Sequence, residues 1–449
     1  MKKKVFILGF AVLALAAPAM AQEVSQTTAP AYNTGFEPSP EVAAGIYGKM
    51  ASPVTSKFNL SIGGFVKLDY AYNSTNLGSA IPAIGTLQSG MPKNSSAASQ
   101  QDQSVFTARQ SRLWLKAGGP TFLGAKTDSI IEMDFYGTGA GSNESPLPRL
   151  RLANGTLDWA NTQILFGQAY DMFGPAISST VDFGSGNKTG APNNPRVPQI
   201  RVTQKVVLSN DNTLRLALGV QNPVQDTNAQ SGASTDTWGT TPNVASQVMF
   251  ISKTLGVAPG YFGQSMNPLT AGLFGLYGKQ HLGGNNKEVE SWGYGFYTFV
   301  PIIPSKDGKS RAMTASFEGQ AYLAANLSVS GATAGTVVGT DANKTAAKGY
   351  GLYGQFILYP TQDLGITAGY GQRSAYKYAD YSGINNFEKS NSNLYANIAY
   401  DLNSAVRVAV EYQNLNTKYG NVTNGAGNLA GLSDKGSANI ARLAAFYYF

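Results

Sequence analysis

The sequence contains no cysteine and a single histidine, His281, in its 449 residues. Without cysteine there can be no disulfide scaffold, no cysteine-ligated zinc or iron–sulfur centre and no thiol nucleophile. A lone histidine likewise excludes any centre that needs two imidazoles. Neither a G-x-S-x-G elbow nor an H-E-x-x-H motif is present. We therefore expect no catalytic residue, no metal site and no cofactor.

Charged side chains are also scarce. They make up 13% of the residues, about half of the roughly 25% found in soluble domains. The hydrophobic fraction is an ordinary 43%, so glycine, asparagine, serine, threonine and tyrosine replace the missing charges. The formal charge of +7 falls to +4 once three N-terminal lysines are discounted. So small a charge predicts no nucleic-acid partner.

Residues 1–21 have the features of a secretory signal peptide. Three lysines at 2–4 precede an apolar stretch at 5–17, and residues 19–21 read Ala-Met-Ala, a small-x-small cleavage site. No later stretch has the 18 or so apolar residues that a transmembrane helix requires. Residues 22–57, with four prolines and no sustained periodicity, predict an irregular periplasmic leader too short to form a globular plug.

From residue 58 onward, apolar side chains recur with a period of two. Between Phe58 and Tyr72 they share one parity, whereas Lys67 and Asp69 occupy the other. At about 14 residues, this strand is much longer than the five or six usual in soluble proteins. Sixteen such strands are predicted, near 58–72, 105–117, 126–137, 148–159, 162–170, 198–208, 213–221, 246–255, 271–281, 290–302, 311–323, 349–358, 364–373, 393–402, 405–416 and 438–449.

The links that follow odd-numbered strands are long, and those that follow even-numbered strands are mostly short. The link 256–270 follows an even-numbered strand and is longer than this pattern predicts. Such segregation predicts an all-β fold: a transmembrane antiparallel β-barrel of about 16 strands over 58–449, with long extracellular loops and short periplasmic turns. Lipid offers no hydrogen bonds, so a spanning sheet must close on itself. The C-terminal Phe449 ends an alternating strand and resembles the terminal recognition strand of outer-membrane barrels. The predicted location is therefore the bacterial outer membrane.

By parity, more basic than acidic side chains face the lumen. A basic wall in a narrow pore favours anions, and arginine suits carboxylates. The alternative is that the arginines pair with acids and brace the wall. The predicted lumen residues are Lys67, Arg112, Lys116, Arg149, Arg151, Arg201, Lys205, Arg215, Arg407 and Arg442, against Asp69, Glu132, Asp134, Glu318 and Glu411.

Two features of this lumen are particularly informative. Arg149 and Arg151 share one face, as do Glu132 and Asp134 on the preceding strand. The strand before that one has Arg112 and Lys116 on a shared face, so three neighbouring strands alternate basic, acidic and basic. This alternation indicates a cross-strand ion ladder or one wall of a constriction. The long loop 171–197 offers a constriction if it folds inward, with its pore charges at Asp171, Asp182 and Arg196. A surface loop is the alternative.

Six short motifs resemble the DcaP-like trimeric porins of Gram-negative bacteria over about residues 60–208. They are Gly64-Phe-Val-Lys-Leu-Asp69, Ser111-Arg112-Leu113, Glu132-Met-Asp-Phe135, Leu150-Arg-Leu152, Ile164-Leu-Phe-Gly-Gln168 and Arg196-Val-Pro-Gln-Ile-Arg201. The resemblance implies a 16-stranded barrel, a homotrimer and passive uptake of small, often carboxylated solutes. It also implies basic pore residues at Arg112, Arg149, Arg151 and Arg201.

The sequence thus favours an outer-membrane porin that passes small hydrophilic solutes and prefers anions such as carboxylates. Its expected partners are those solutes, outer-membrane lipid and lipopolysaccharide, and two further copies of the chain. One alternative is a structural or adhesive barrel with a closed lumen whose loops bind partners. Another is a barrel-embedded hydrolase that uses His281 with a serine, although no motif marks the serine.

Overall fold

The computed structural model describes residues 48–49, 59–77, 90–137, 145–182, 195–222, 238–282, 287–327, 331–334, 337–338, 345–376, 387–422 and 429–449. All of them belong to one unit, Thr34–Phe449. The predicted signal peptide and nearly all of the predicted leader lie outside these ranges. Within the leader, the described pair Gly48–Lys49 is hydrogen-bonded antiparallel to Ile62 and Ser61.

Sixteen long strands within the described ranges form one antiparallel sheet in which each strand pairs with the next. In order they are β1 (Asn59–Asn73), β2 (Gln103–Thr107 and Arg112–Gly118, interrupted), β3 (Lys126–Asp134), β4 (Arg149–Asp158), β5 (Thr162–Tyr170), β6 (Arg196–Val207), β7 (Asn212–Gln221), β8 (Trp238–Pro259), β9 (Met266–Leu282), β10 (Lys287–Ile303), β11 (Thr314–Ala325), β12 (Lys348–Tyr359), β13 (Leu364–Ala375), β14 (Phe387–Asp401), β15 (Val406–Val422) and β16 (Leu429–Tyr448).

The sheet closes where β16 pairs with β1, from Phe65 opposite Tyr448 to Asn73 opposite Ile440. At the end of this seam the backbone of Phe449 exchanges two hydrogen bonds with Gly64, at 3.0 and 3.1 Å. Closure leaves the sheet without free edges, as a membrane-spanning sheet requires. The prediction of a closed antiparallel barrel of about 16 strands is confirmed.

Outward side chains form an apolar belt. On β14, Leu394 and Ile398 are 54% and 42% exposed, whereas the alternating Asn393 and Asn397 point inward and are almost fully buried. This burial pattern inverts that of a soluble protein because lipid, not water, surrounds the barrel. Among the described residues, no helix has the length and apolar character needed to cross a membrane.

Several strands extend further than the sequence pattern predicted. β14 begins at Phe387 and β16 at Leu429, so the predicted long links 374–392 and 417–437 are shorter than expected. β8 reaches Pro259 and β9 begins at Met266, which removes the misfit of the link 256–270. The reason is physical: beyond the hydrocarbon, the outward residues no longer need to be apolar, so hydrophobic alternation ends before the hydrogen-bonded strand does.

Gly64 gives a direct test of the seam. A Cβ at this position would lie 2.1 Å from the carbonyl oxygen of Arg112 and 3.1 Å from the Phe449 ring. We expect Gly64→Ala to lower the free energy of unfolding by about 1–3 kcal/mol through overpacking. The measurement is urea unfolding followed by the heat-modifiable gel mobility of the folded barrel.

The matched control is Gly275→Ala. Its added Cβ would meet no heavy atom closer than 3.5 Å, so stability should be unchanged or slightly higher, since alanine restricts the unfolded chain more than glycine does. Equal stability of the two variants would contradict the role assigned to the seam.

Candidate functional site

Residues 171–182, which follow β5, enter the lumen; we call them the inward segment. Its backbone is held by side chains from strands on many sides of the barrel. In order along the segment, Gln247 of β8 donates to Met172 O (2.7 Å), Ala176 N donates to Gln320 of β11 (3.0 Å), Ser179 N donates to Gln355 of β12 (3.0 Å), Asn397 of β14 donates to Ser179 O (2.5 Å), and Val181 N donates to Glu411 of β15 (2.6 Å).

The far end of the segment reaches the closing seam. Lys67 Nζ donates to the carbonyl oxygen of Val181 at 2.5 Å, and Gln110 Nε2 donates to that of Asp182 at 2.5 Å. A segment outside the sheet has polar backbone groups that need partners when buried. The glutamines and asparagines of the lumen wall supply those partners.

Apolar side chains of the segment also pack on the wall. The ring of Phe173 makes edge contacts with those of Phe274 and Tyr322, with centroids 5.2 and 5.7 Å apart. Met172 belongs to the same buried cluster, while Val181 is buried with Phe65 near the seam. Each fully buried side chain of this size contributes about 1.5–3 kcal/mol. The segment is therefore a packed part of the lumen, and the surface-loop alternative is wrong for 171–182.

The three charged residues predicted for this constriction lie in different surroundings. Asp171 accepts hydrogen bonds from Gln221 and from the amide of Phe173. Asp182 lies 3.3 Å from Arg442 of β16, so it faces the seam. Arg196 is not in the segment: it begins β6 opposite Tyr170. Its placement in the loop was wrong because β6 starts two residues earlier than the alternation indicated.

The acidic and basic strands β3 and β4 form an ion ladder. Arg149 binds Asp134 in a bidentate manner, at 2.9 and 2.6 Å. Arg151 contacts Glu132 at 2.6 Å and the same Asp134 at 2.9 Å. A bulge between Glu132 and Asp134 brings both arginines to these acids. The bracing alternative thus describes the pair that the sequence singled out.

A second buried network occupies the seam. Lys67 Nζ lies 2.8 Å from Asp69, and Arg442 lies between Asp182 and Glu411, at 3.3 and 3.7 Å. Because charges in a low-dielectric interior must be compensated, each of the two cations is held by carboxylates, and the network anchors the end of the inward segment.

Other predicted lumen residues lie on β2, β6 and β7. Arg112 is buried with its guanidinium 5.6 Å from the Phe65 ring, and the ammonium of Lys116 lies 4.6 Å from the ring of Trp114. Arg201 and Lys205 lie on the lumen face of β6 with intermediate exposure. Lys205 is directly opposite the buried Arg215 of β7. Two like charges opposite each other are unfavourable for the sheet alone.

Sequence reasoning missed Arg109. It lies where β2 is interrupted, in a turn in which Ser111 N donates to Ala108 O at 3.0 Å. Its guanidinium lies 4.9 Å from the ring of Tyr136, and Arg149 lies 5.3 Å from the same ring. The only available signal is a break in alternation within 105–117, a range that the sequence pattern predicts as one continuous strand.

Comparisons with known proteins show which solved structures this architecture is similar to. No family model and no curated protein matches the sequence. The barrel is similar to the outer membrane channel DcaP of Acinetobacter baumannii, with a TM-score of 0.64 and 18% identity over 87% of this chain and 97% of that chain. It is also similar to the anion-selective porin from Comamonas acidovorans, with a TM-score of 0.52 and 12% identity over 87% of this chain and 100% of that one.

Pseudomonas putida OprB gives a TM-score of 0.50 and 11% identity, covering 88% of this chain and 94% of that one. At these identities the likeness concerns the fold. The molecule is a closed antiparallel β-barrel with the architecture of bacterial outer-membrane porins and channels. The resemblance to DcaP-like porins is confirmed at the level of the fold.

The attachment of the inward segment can be tested with Gln355→Leu combined with Asn397→Leu. Together these changes remove the side-chain bonds to Ser179 and Ile177. We expect a more mobile segment, seen in planar bilayers as higher mean conductance and more current noise. The control is Asn391→Leu on the same strand, because Asn391 is equally buried but bonds Glu388 and Thr417. The same traces from both variants would contradict the attachment.

Proposed function

We propose that this protein is a diffusion porin, through which small hydrophilic solutes cross the outer membrane without a reaction. The observation that carries the proposal is the inward segment, which narrows the lumen from inside. A barrel with only a structural role has no need of a segment held by side chains from β8 to β1. The architecture shared with outer-membrane channels supports the same function.

We further propose that the pore prefers anions, including carboxylates. In the ion ladder of β3 and β4 two arginines are balanced by two acids, and in the seam network both cations are held by carboxylates, so Arg149 and Arg151 act mainly as braces. The preference then rests on β2, β6 and β7, where Lys205 and Arg215 are opposed and Arg201 and Lys116 face the same lumen. Basic side chains gathered along this stretch of the lumen wall attract anions. The similar Comamonas acidovorans barrel is described as an anion-selective porin.

The two alternative functions have less support. An adhesive barrel with a closed lumen gives no role to the opposed cations of β6 and β7. A hydrolase would need His281 beside a serine, and His281 lies at the extracellular end of β9, where its backbone pairs with Glu288 and Trp238. We propose that the protein has no catalytic activity.

The homotrimer implied by the sequence resemblance also remains a proposal. On the outward face of β2 to β5 there is a largely apolar groove of about 610 Å³. Small outward residues, Ala117, Ser129, Ala153 and Gly155, line it, and Phe166 forms one side. Small residues allow close approach of another surface within lipid, so this groove is our candidate for the contact between copies.

The anion preference is tested with Lys116→Gln, Arg201→Gln and Lys205→Gln in one variant. A unit charge about 8 Å from a permeating ion in water is worth roughly 0.5 kcal/mol, or about a twofold change in the permeability ratio. We expect the anion-to-cation ratio to fall several-fold, measured as the reversal potential in a salt gradient.

The matched control removes three lysines outside the lumen. Lys253, Lys306 and Lys309 are exposed at the periplasmic end of the barrel, and their change to glutamine should leave the ratio nearly unchanged. A cation-selective wild type, or equal shifts in both variants, would refute the anion assignment, and the lack of any channel would refute the porin proposal.

The trimer contact is tested with Ala153→Trp, which fills the groove. We expect the molar mass of the protein in detergent, measured by light scattering, to drop from that of three copies toward one. The control is Ala368→Trp, at an exposed outward position of β13, which should leave the mass unchanged. A trimer in both variants would place the contact elsewhere.

A further inference from the structure

The outward face of β13 to β16 marks its own membrane boundary. The hydroxyl of Tyr370 donates to Gln372 at 3.0 Å, and that of Tyr412 donates to Asn439 at 2.7 Å. Outward tyrosines with the ring in lipid and the hydroxyl on a polar partner lie at the interface. Because the amides lie on the extracellular side of the rings, this is the boundary of the outer leaflet.

Beyond this boundary the outward side chains change character. They become amides, hydroxyls and ammonium groups, and we call this set the polar apron: Ser390, Ser392, Asn414, Asn416, Lys418, Lys435, Ser437 and Asn439. Part of it is already ordered by hydrogen bonds, since Asn414 donates to Asn439 at 2.8 Å and Asn416 donates to Asn414 at 2.6 Å. A polar face on a strand is expected where sugars or water replace lipid chains.

Two lysines of the apron are direct cross-strand partners. Lys418 of β15 and Lys435 of β16 are paired in the register, and both are exposed. The nearby Asp434 accepts hydrogen bonds from Ser95 Oγ and from the amide of Lys435, and it forms no ion pair with either lysine. Like charges directly opposite each other destabilise a sheet, and their side chains start close enough to hold one anion between them.

On β9 and β10, in contrast, an outward lysine forms an ion pair with an outward acid. There the outward Lys279 lies 3.5 Å from the outward Glu288, so the barrel itself supplies the counter-charge. Among the described residues no acid forms an ion pair with Lys418 or Lys435, which leaves the two ammonium groups available to an external anion.

The height of the lysines identifies the source of that anion. Tyr412 bonds Asn439, which is opposite Asn414, so the boundary lies near Asn414. Lys418 lies four residues further along β15, which is roughly 13 Å of strand and about 9 Å above the boundary at a tilt near 45°. The headgroup zone of a phospholipid leaflet is about 5–8 Å deep, so these lysines start just above a phospholipid phosphate, at the level of the sugar core of a glycolipid.

We infer that the polar apron binds the phosphorylated sugar core of outer-leaflet lipopolysaccharide. Lys418 and Lys435 bind a core phosphate, and the amides and hydroxyls below them bind sugar hydroxyl groups. The inference deepens the lipopolysaccharide contact expected of an outer-membrane porin and rests on that membrane orientation. It does not depend on which solutes the lumen passes.

The test titrates the purified barrel in detergent with lipopolysaccharide that carries a phosphorylated core. Calorimetry during the titration measures the binding affinity. Two exposed ion pairs together correspond to about a tenfold change in affinity. We expect Lys418→Gln combined with Lys435→Gln to weaken binding about tenfold. Lipopolysaccharide with an enzymatically dephosphorylated core should bind wild type and variant equally.

The control variant is Lys279→Gln, which removes an outward lysine that has its own acid. It should bind phosphorylated lipopolysaccharide like the wild type, and heat-modifiable mobility confirms that each variant is folded. Unchanged affinity in the double variant, or equal loss in the control, would overturn the inference. A change of molar mass in the double variant would also overturn it, by making this face a contact between copies.

The same proteins are then recorded in bilayers. Normal conductance of the double variant, together with weaker lipopolysaccharide binding, supports the inference. Normal binding by a protein that forms no channel would remove the porin proposal and leave the apron assignment intact. The two failures are therefore distinguishable.

Discussion

The barrel depends on one constraint, which is that lipid cannot accept or donate a hydrogen bond. Every backbone group within the membrane must therefore find a partner in the chain, and the last strand must return to the first. The reciprocal bonds between Gly64 and Phe449 are the end of that seam. Closure also creates an enclosed lumen, into which the inward segment folds.

The same constraint applies to the inward segment, whose backbone is buried without a strand beside it. Its partners are side chains, chiefly uncharged amides such as Gln320, Gln355 and Asn397. This explains the composition: a chain poor in charge and rich in amides can satisfy a buried backbone without placing excess charge in a low-dielectric space. Glutamine and asparagine side chains that the sequence pattern does not single out support the inward segment.

Charge in this protein acts through position more than through number. Arg149 and Arg151 meet their acids on the neighbouring strand and stabilise the wall. Lys205 meets Arg215, and on the outer face Lys418 meets Lys435. Pairs of opposite charge on neighbouring strands brace the barrel wall.

The sequence by itself predicted a closed sheet of about 16 strands and the side that the residues of each strand face, because parity is a local property that each strand carries along its own length. Lys67, Glu132 and Arg151 are buried on the inward side of their strands. Only the tertiary structure decided which charges are paired, that Arg196 belongs to β6, that Arg109 lies in an interruption, and that residues 171–182 turn inward. Those outcomes depend on register, on a bulge and on contacts across the lumen, and no periodicity along the chain encodes the distance between residues on different strands.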